Sequence, residues 1–259
     1  PSGFLEILNK IQKKPPKILV IGDVMLDRFI FGEVNRISPE APVPVVRSLK
    51  EESSLGGCGN VLRNLLNLGV NSSIISIVGK DPAGEKIKHE LIKKRVSTDN
   101  VIQSGSVRST EKMRIVSEGQ QLVRVDWDMN NLTNRSINKI LKLFSKKVKE
   151  VNGVIISDYN KGVCTELVAS EVIKCAIRLK IPTYIDPKGK KWNKYYGSSI
   201  ITPNLKEAED FLERKLISDQ DIEEAGMEIC KKLRLMACLI TRGQNGMSYI
   251  SKDLKLHVS

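Results

Sequence analysis

The sequence predicts an α/β fold, a mostly parallel sheet flanked by helices with a small β flap beside it, on three observations. Short apolar runs that read as buried strands open into polar residues: Val154-Ile155-Ile156-Ser157-Asp158-Tyr159, Thr183-Tyr184-Ile185-Asp186-Pro187-Lys188-Gly189 and Ile200-Ile201-Thr202-Pro203-Asn204-Leu205-Lys206-Glu207. Helix-patterned segments alternate with strand-patterned ones, the signature of a parallel sheet. Two further segments break the alternation and read as β structure outside it. In open α/β sheets ligands bind beyond the carboxyl ends of the strands, so this Asp-, Lys-, Asn- and Glu-bearing edge is where chemistry is expected.

The elements follow in order. Phe4-Leu5-Glu6-Ile7-Leu8-Asn9-Lys10-Ile11 is apolar at helical spacing but interrupted by charge, which makes a packing helix and not a signal peptide. A first strand, Lys17-Ile18-Leu19-Val20-Ile21, ends at Gly22-Asp23, and a glycine-rich loop, Gly56-Gly57-Cys58-Gly59-Asn60, opens a helix that Gly69 closes. Strand Ser73-Ile74-Ile75-Ser76-Ile77-Val78 and a helix from Gly84 to Arg95 give another β-α unit. The flap draws on 30-50, where Pro39, Pro42 and Pro44 allow an edge strand but no helix, and on a hairpin in 107-128 around Glu118-Gly119. Beyond 151 the order is strand, helix 165-180, strand, strand, helices within 205-215 and 219-233, then strand Ala237-Cys238-Leu239-Ile240-Thr241. His257-Val258-Ser259 reads as a strand paired with 247-251 and not as a finished terminus.

A chain of 259 residues, 41% hydrophobic, can bury a sizeable core, and one main domain over 1-259 is expected. The five cysteines, Cys58, Cys164, Cys175, Cys230 and Cys238, form no C-x-x-C pair and read as reduced thiols of a cytoplasmic protein. No apolar run approaches the roughly 18 residues of a membrane span. The net charge of +12 raises nucleic acid as a partner, but the lysines are scattered over several helices without aromatic interleaving. A solvated, lysine-rich surface is the expectation, with no nucleic-acid partner and a field that favours phosphorylated small substrates.

Common nucleotide motifs fail. Gly57-Cys58-Gly59 has Leu62 where a dinucleotide fingerprint needs its third glycine, and Lys50-Glu51-Glu52-Ser53-Ser54 is too polar for the preceding strand. Gly79-Lys80 lacks both the earlier glycine and the following hydroxyl of a P-loop. His89 sits in a charged helical run and His257 near the chain end, settings that suit structural or solvated roles and argue against a Ser-His-Asp triad.

What is left is a set of loops after strands, each with two readings. Asp23 and Asp27 offer carboxylates to sugar hydroxyls, although Asp27 also suits a turn. Gly56, Gly57 and Asn60 offer close backbone approach and an amide at a helix start; plain capping explains Asn60 but not the paired glycines. Asn204 and Glu207 fit a capping box, and equally a hydrated Mg²⁺ carrying nucleotide phosphates at a positive helix end.

Taken together, Gly22-Asp23 with Asp27, Gly56-Gly57 with Asn60, and Thr202-Pro203-Asn204 with Glu207 resemble the ribokinase or phosphofructokinase-B family of sugar kinases. Four further stretches, Arg36 to Val45, Gln120-Gln121-Leu122-Val123-Arg124, Ser157-Asp158-Tyr159-x-Lys161-Gly162 and Asp186-Pro187-Lys188-Gly189, resemble the branch of that family that acts on a heptose 7-phosphate. The resemblance spans nearly the whole chain. It implies a ribokinase-like fold and transfer of the γ-phosphoryl of ATP, with Mg²⁺, to the anomeric hydroxyl of the phosphorylated sugar, on the route to ADP-heptose and lipopolysaccharide core. It implies that Asp23, Asp27, Gly56, Gly57, Asn60 and Asp158 meet the sugar, with Lys188, Arg114 and Arg124 on its own phosphate. Asp186, Asn204, Lys206, Glu207, Thr241, Arg242 and Gly243 then serve the nucleotide, with Glu207 at the metal. The exposed flap strands invite a homodimer. The family's Gly-Ala-Gly-Asp element, whose Asp is the catalytic base, does not occur in these residues and is expected beyond Ser259. A kinase for another sugar, and a sugar-binding module without transfer, stay open as alternatives.

Overall fold

The computed structural model describes residues 2–129 and 131–258. Helix α1 (Ser2–Lys13) leads into β1 (Lys17–Gly22), followed by two long strands, β2 (Val24–Ile37) and β3 (Pro44–Gly57). Then come α2 (Cys58–Asn67), β4 (Asn71–Gly79), α3 (Pro82–Lys93), β5 (Val101–Ser104) and the hairpin β6 (Thr110–Ser117) and β7 (Gln120–Trp127). The remainder runs α4 (Asn134–Lys147), β8 (Gly153–Ser157), α5 (Glu166–Arg178), β9 (Thr183–Asp186), β10 (Ile200–Ile201), α6 (Leu205–Leu212), α7 (Asp219–Leu233), β11 (Ala237–Thr241), β12 (Met247–Ser251) and β13 (Lys255–Val258). The apolar face expected of the first helix falls on Phe4, Leu5 and Leu8, whose side chains lie outside the described residues, as does Ser259.

Nine strands form the main sheet in the order β13-β12-β11-β10-β9-β8-β1-β4-β5. From β5 through β11 the pairings are parallel, and β12 and β13 add an antiparallel edge. β1 sits near the middle because it is apolar on both sides, as a strand covered by helices on both faces must be. Its Leu19 and Ile21 face the cluster that α4, α5 and α7 complete through Phe144, Val172 and Ile229. Val20 faces the opposite cluster, closed by Leu62 of α2 with Ile87 and Leu91 of α3. Among the described residues no helix is long and apolar enough to cross a membrane.

The flap is a second sheet of four strands, β3-β2-β6-β7, larger than its expected bounds of 30-50 and 107-128. β2 and β3 pair along almost their full length, from Val24 with Gly57 to Ile37 with Pro44. Lys50-Glu51-Glu52-Ser53-Ser54 is therefore strand and not loop. Its polarity misleads because this ribbon stands away from the core, where water and ion pairs satisfy the side chains. Arg28 of β2 ties the ribbon together, donating to Glu51 of β3 at 3.0 Å and to Glu111 of β6 at 2.7 Å. Lys86 of α3 reaches the same Glu51 at 3.0 Å and fastens the flap to the body.

Candidate active site

The carboxyl ends of β1, β8, β9, β10 and β11 meet along one edge of the main sheet. Backbone bonds fix their relative heights: the Asp158 amide donates to the Asp186 carbonyl at 3.0 Å, Thr202 to Ile185 at 2.8 Å, and Thr241 to Pro203 at 2.9 Å. A cavity of about 360 Å³ at this edge is lined by Asp158, Asp186, Lys188, Asn204, Glu207 and Thr241, with Tyr159 and Thr202 between them. Six residues named from sequence thus come together.

Asp186 ends β9 with its carboxylate free of any hydrogen bond or ion pair among the described residues. Burial first, and then the neighbouring Glu207, push its pKa up from 3.8 to about 6, while Lys188 pulls the other way. Lys188 itself donates to Glu207 Oε1 at 2.8 Å. The other oxygen of Glu207 accepts the Asn204 amide at 2.9 Å, and Asn204 Oδ1 accepts the Glu207 amide at 2.9 Å. The capping box is present, and both of its residues line the cavity. Asp186 and Glu207 are two carboxylates that share one cationic neighbour, Lys188, a charge balance that suits a divalent cation. Mg²⁺ keeps several waters and needs only one or two protein carboxylates beside nucleotide phosphates, a number that Asp186 and Glu207 can supply.

Two expected sugar ligands lie deeper than foreseen. Asp23 is fully buried and its carboxylate accepts the backbone amides of Tyr159 at 2.9 Å, Lys161 at 3.1 Å and Val163 at 2.8 Å. Burial raises its pKa, the three amides lower it, and the buried carboxylate shapes the loop after β8 in place of touching a sugar. Asp158 is 2% exposed; it ion-pairs with Lys194, accepts Tyr195 Oη at 2.7 Å and accepts the Asn160 amide at 2.7 Å. It holds the floor of the cleft and leaves little surface for direct contact.

On the flap side, Asp27 lies within β2 opposite Ser54, which removes the turn reading. It accepts Arg114 Nη1 at 2.7 Å, and the Arg114 guanidinium also covers the Phe29 ring at 5.1 Å. Gly56 is required here: a Cβ would collide with the Asp27 carboxylate. Gly57 has φ 57°, and a side chain would strike the Asp23 carbonyl. Asn60 is not the cap of α2, since Gly57 holds that position; its Oδ1 accepts Arg63 instead. Arg124 faces Arg114 across the hairpin but is half exposed and bonded to Asp126 at 2.9 Å.

Three other expected residues stand outside the cavity. Lys206 is exposed and pairs with Asp210 at 2.7 Å on the outer side of α6, and Arg242 turns to Asp219 at the start of α7. Gly243, at φ 60°, makes the turn after β11. What sequence reasoning missed is Lys190, Lys191, Lys194 and Tyr195, which lie beyond the Lys188 it did name. Their signal was a run of basic residues punctuated by Trp192 and Tyr195, both of them fully buried, which marks an anchored loop and not a solvated one.

Comparison with known proteins agrees with this architecture. The Escherichia coli phosphofructokinase-2 in complex with fructose-6-phosphate superposes with a TM-score of 0.76 at 19% identity, covering 94% of this chain and 79% of that one. An Arabidopsis thaliana ribokinase complexed with ribose and ATP gives 0.72 at 16% identity, covering 95% and 78%. In sequence, the bifunctional protein HldE of Campylobacter concisus is 40% identical over 245 residues, 95% of this chain and 51% of that protein. HldE of Actinobacillus succinogenes is 42% identical over 234 residues, 90% and 48% respectively. The chain therefore spans about half the length of the curated relatives it matches. Residues 15–259 match the model of the pfkB family carbohydrate kinases, and the chain belongs to that family.

Proposed function

We propose that this chain is the kinase part of a protein that transfers the γ-phosphoryl of ATP to the anomeric hydroxyl of D-glycero-β-D-manno-heptose 7-phosphate, giving the 1,7-bisphosphate. The observation that supports this most is the joint one: 36% to 42% identity to HldE proteins over half their length, with the polar edge assembled around Asp186, Asn204 and Glu207. The cytoplasm is the proposed compartment, and a homodimer paired through the flap the proposed assembly.

In this reading, Asp27 and the Gly56-Gly57 corner hold sugar hydroxyls beneath the flap, and the ion pair with Arg114 keeps the Asp27 carboxylate aimed. Asp186, Glu207 and Asn204 face the nucleotide phosphates, with Thr241 on the far wall. Mg²⁺ bound near Asp186 and Glu207 supplies charge neutralisation for the transferred phosphoryl group. Lys188, held by Glu207, stands ready to exchange that partner for a phosphate oxygen as charge moves. Catalysis by these residues is positioning and electrostatics. The proton of the attacking hydroxyl goes to the Asp of a Gly-Ala-Gly-Asp element, absent from the 259 residues.

The natural full-length protein, assayed for ADP release with heptose 7-phosphate, fructose 6-phosphate and ribose, tests the substrate. The heptose phosphate is expected to give the highest kcat/KM by at least about a hundredfold. A preference for either other sugar would refute the assignment.

A further inference from the structure

Beside the carboxyl edge a second cavity, of about 630 Å³, lies between the loop after β8 and the loop after β9. Its wall carries Lys161, Lys188, Lys190, Lys191 and Lys194 against the carboxylates of Asp158 and Glu166. Asp158 is neutralised by Lys194, and its side chain is 1% exposed. Lys161 pairs with the exposed Asp128 at 2.6 Å and Lys188 with Glu207. Lys190 and Lys191 are exposed and make no ion pair among the described residues.

The fold holds these ammonium groups together. Trp192 is fully buried, donates its indole N–H to the Gly189 carbonyl at 2.8 Å and stacks on Phe211 with centroids 4.3 Å apart. Tyr195, fully buried three residues on, donates to Asp158. Anchored at both aromatic residues, the loop displays its lysines over the cavity. Gathering like charges at one wall is unfavourable unless an anion completes it. Compact ammonium groups on flexible stems suit a tetrahedral dianion approached from several sides.

This basin and the transfer edge share Asp158 and Lys188, so one molecule can reach from one to the other. The flap arginines are already paired, Arg114 with Asp27 and Arg124 with Asp126. We propose that Lys190 and Lys191, the lysines of this wall with no ion pair among the described residues, hold a phosphomonoester on the acceptor sugar, at the end remote from the reacting hydroxyl. The basin thereby selects sugars that already carry a phosphate and takes over the role expected of the flap arginines. The inference rests on the sugar-kinase reading above.

The test replaces Lys190→Glu and Lys191→Glu together in the natural full-length protein. A second pair, Lys146→Glu with Lys149→Glu, makes the same change of charge on exposed residues at a separate cavity. The first pair is expected to raise KM for heptose 7-phosphate at least about tenfold while KM for ATP changes less than about twofold; the second pair leaves both alone. An unchanged sugar KM, or an ATP KM that rises in step with it, overturns the assignment. Should the unmodified protein phosphorylate no sugar, the kinase reading fails, and calorimetric titration with inorganic phosphate still decides the basin. Binding lost in the Lys190/Lys191 variant supports it, whereas no binding to the unmodified protein, or equal binding to both, overturns it.

Discussion

Asp186 shows most plainly how one residue is tuned by its place at a strand end. Burial and Glu207 raise its pKa to about 6, so the folded chain binds that proton more tightly than the unfolded chain does. Stability from this group is full below the ordinary value of 3.8 and falls as pH rises through about 6. We expect a loss on the order of 2 to 3 kcal/mol across that window. Asp186→Asn is expected to abolish this drop in urea-melt midpoints between about pH 4 and pH 7 while cutting turnover at least about tenfold. Parallel pH profiles for the two proteins would show that Asp186 already has a compensating partner. Gly56→Ala is a second probe: the added methyl meets the Asp27 carboxylate, so KM for the sugar rises several-fold with KM for ATP unchanged. A wild-type sugar KM in that variant would place Asp27 away from the substrate.

At the scale of elements, one charged junction spans three strands of the flap. Arg28 joins β2 to Glu51 and Glu111, and Glu111 is 9% exposed, so removing the guanidinium strands a nearly buried carboxylate. Arg28→Ala is expected to cost roughly 1 to 3 kcal/mol and to loosen the flap, read as faster amide exchange in β2 and β6 than in β1. Uniform exchange across both sheets would mean that apolar packing holds the flap. The body of the fold was legible because its strands are apolar runs bounded by glycine and proline. The lower half of β3 was not, since Lys50 to Ser54 lies in a ribbon paired by backbone and satisfied by water and salt bridges. Asp23 was misplaced for a related reason. Sequence puts it at a strand end, but only the fold shows three amides closing over it. The Asn204-Glu207 capping box was legible because its residue types and three-residue spacing are local.

For the whole molecule, the net charge of +12 is both a scattered surface and one gathered basin. Raising ionic strength from about 0.05 M to 0.5 M is expected to raise KM for a phosphorylated sugar several-fold, because screening weakens exposed charge pairs. Equal salt dependence for phosphorylated and plain sugars would locate the effect in the nucleotide. The flap leaves Leu122 and Val123 exposed near its outer strand, and pairing of two flaps would cover them. Val123→Glu is expected to turn a dimer into a monomer in sedimentation, and an unchanged oligomer would move the interface elsewhere. The central claim is phosphoryl transfer to the anomeric position of a sugar already phosphorylated at its far end. It is tested most directly by ³¹P NMR of the product formed from heptose 7-phosphate and ATP. The account predicts a second sugar phosphorus signal coupled to the anomeric proton, with the original 7-phosphate intact; a new phosphate at any other carbon, or ADP formed without a second sugar phosphate, would contradict it.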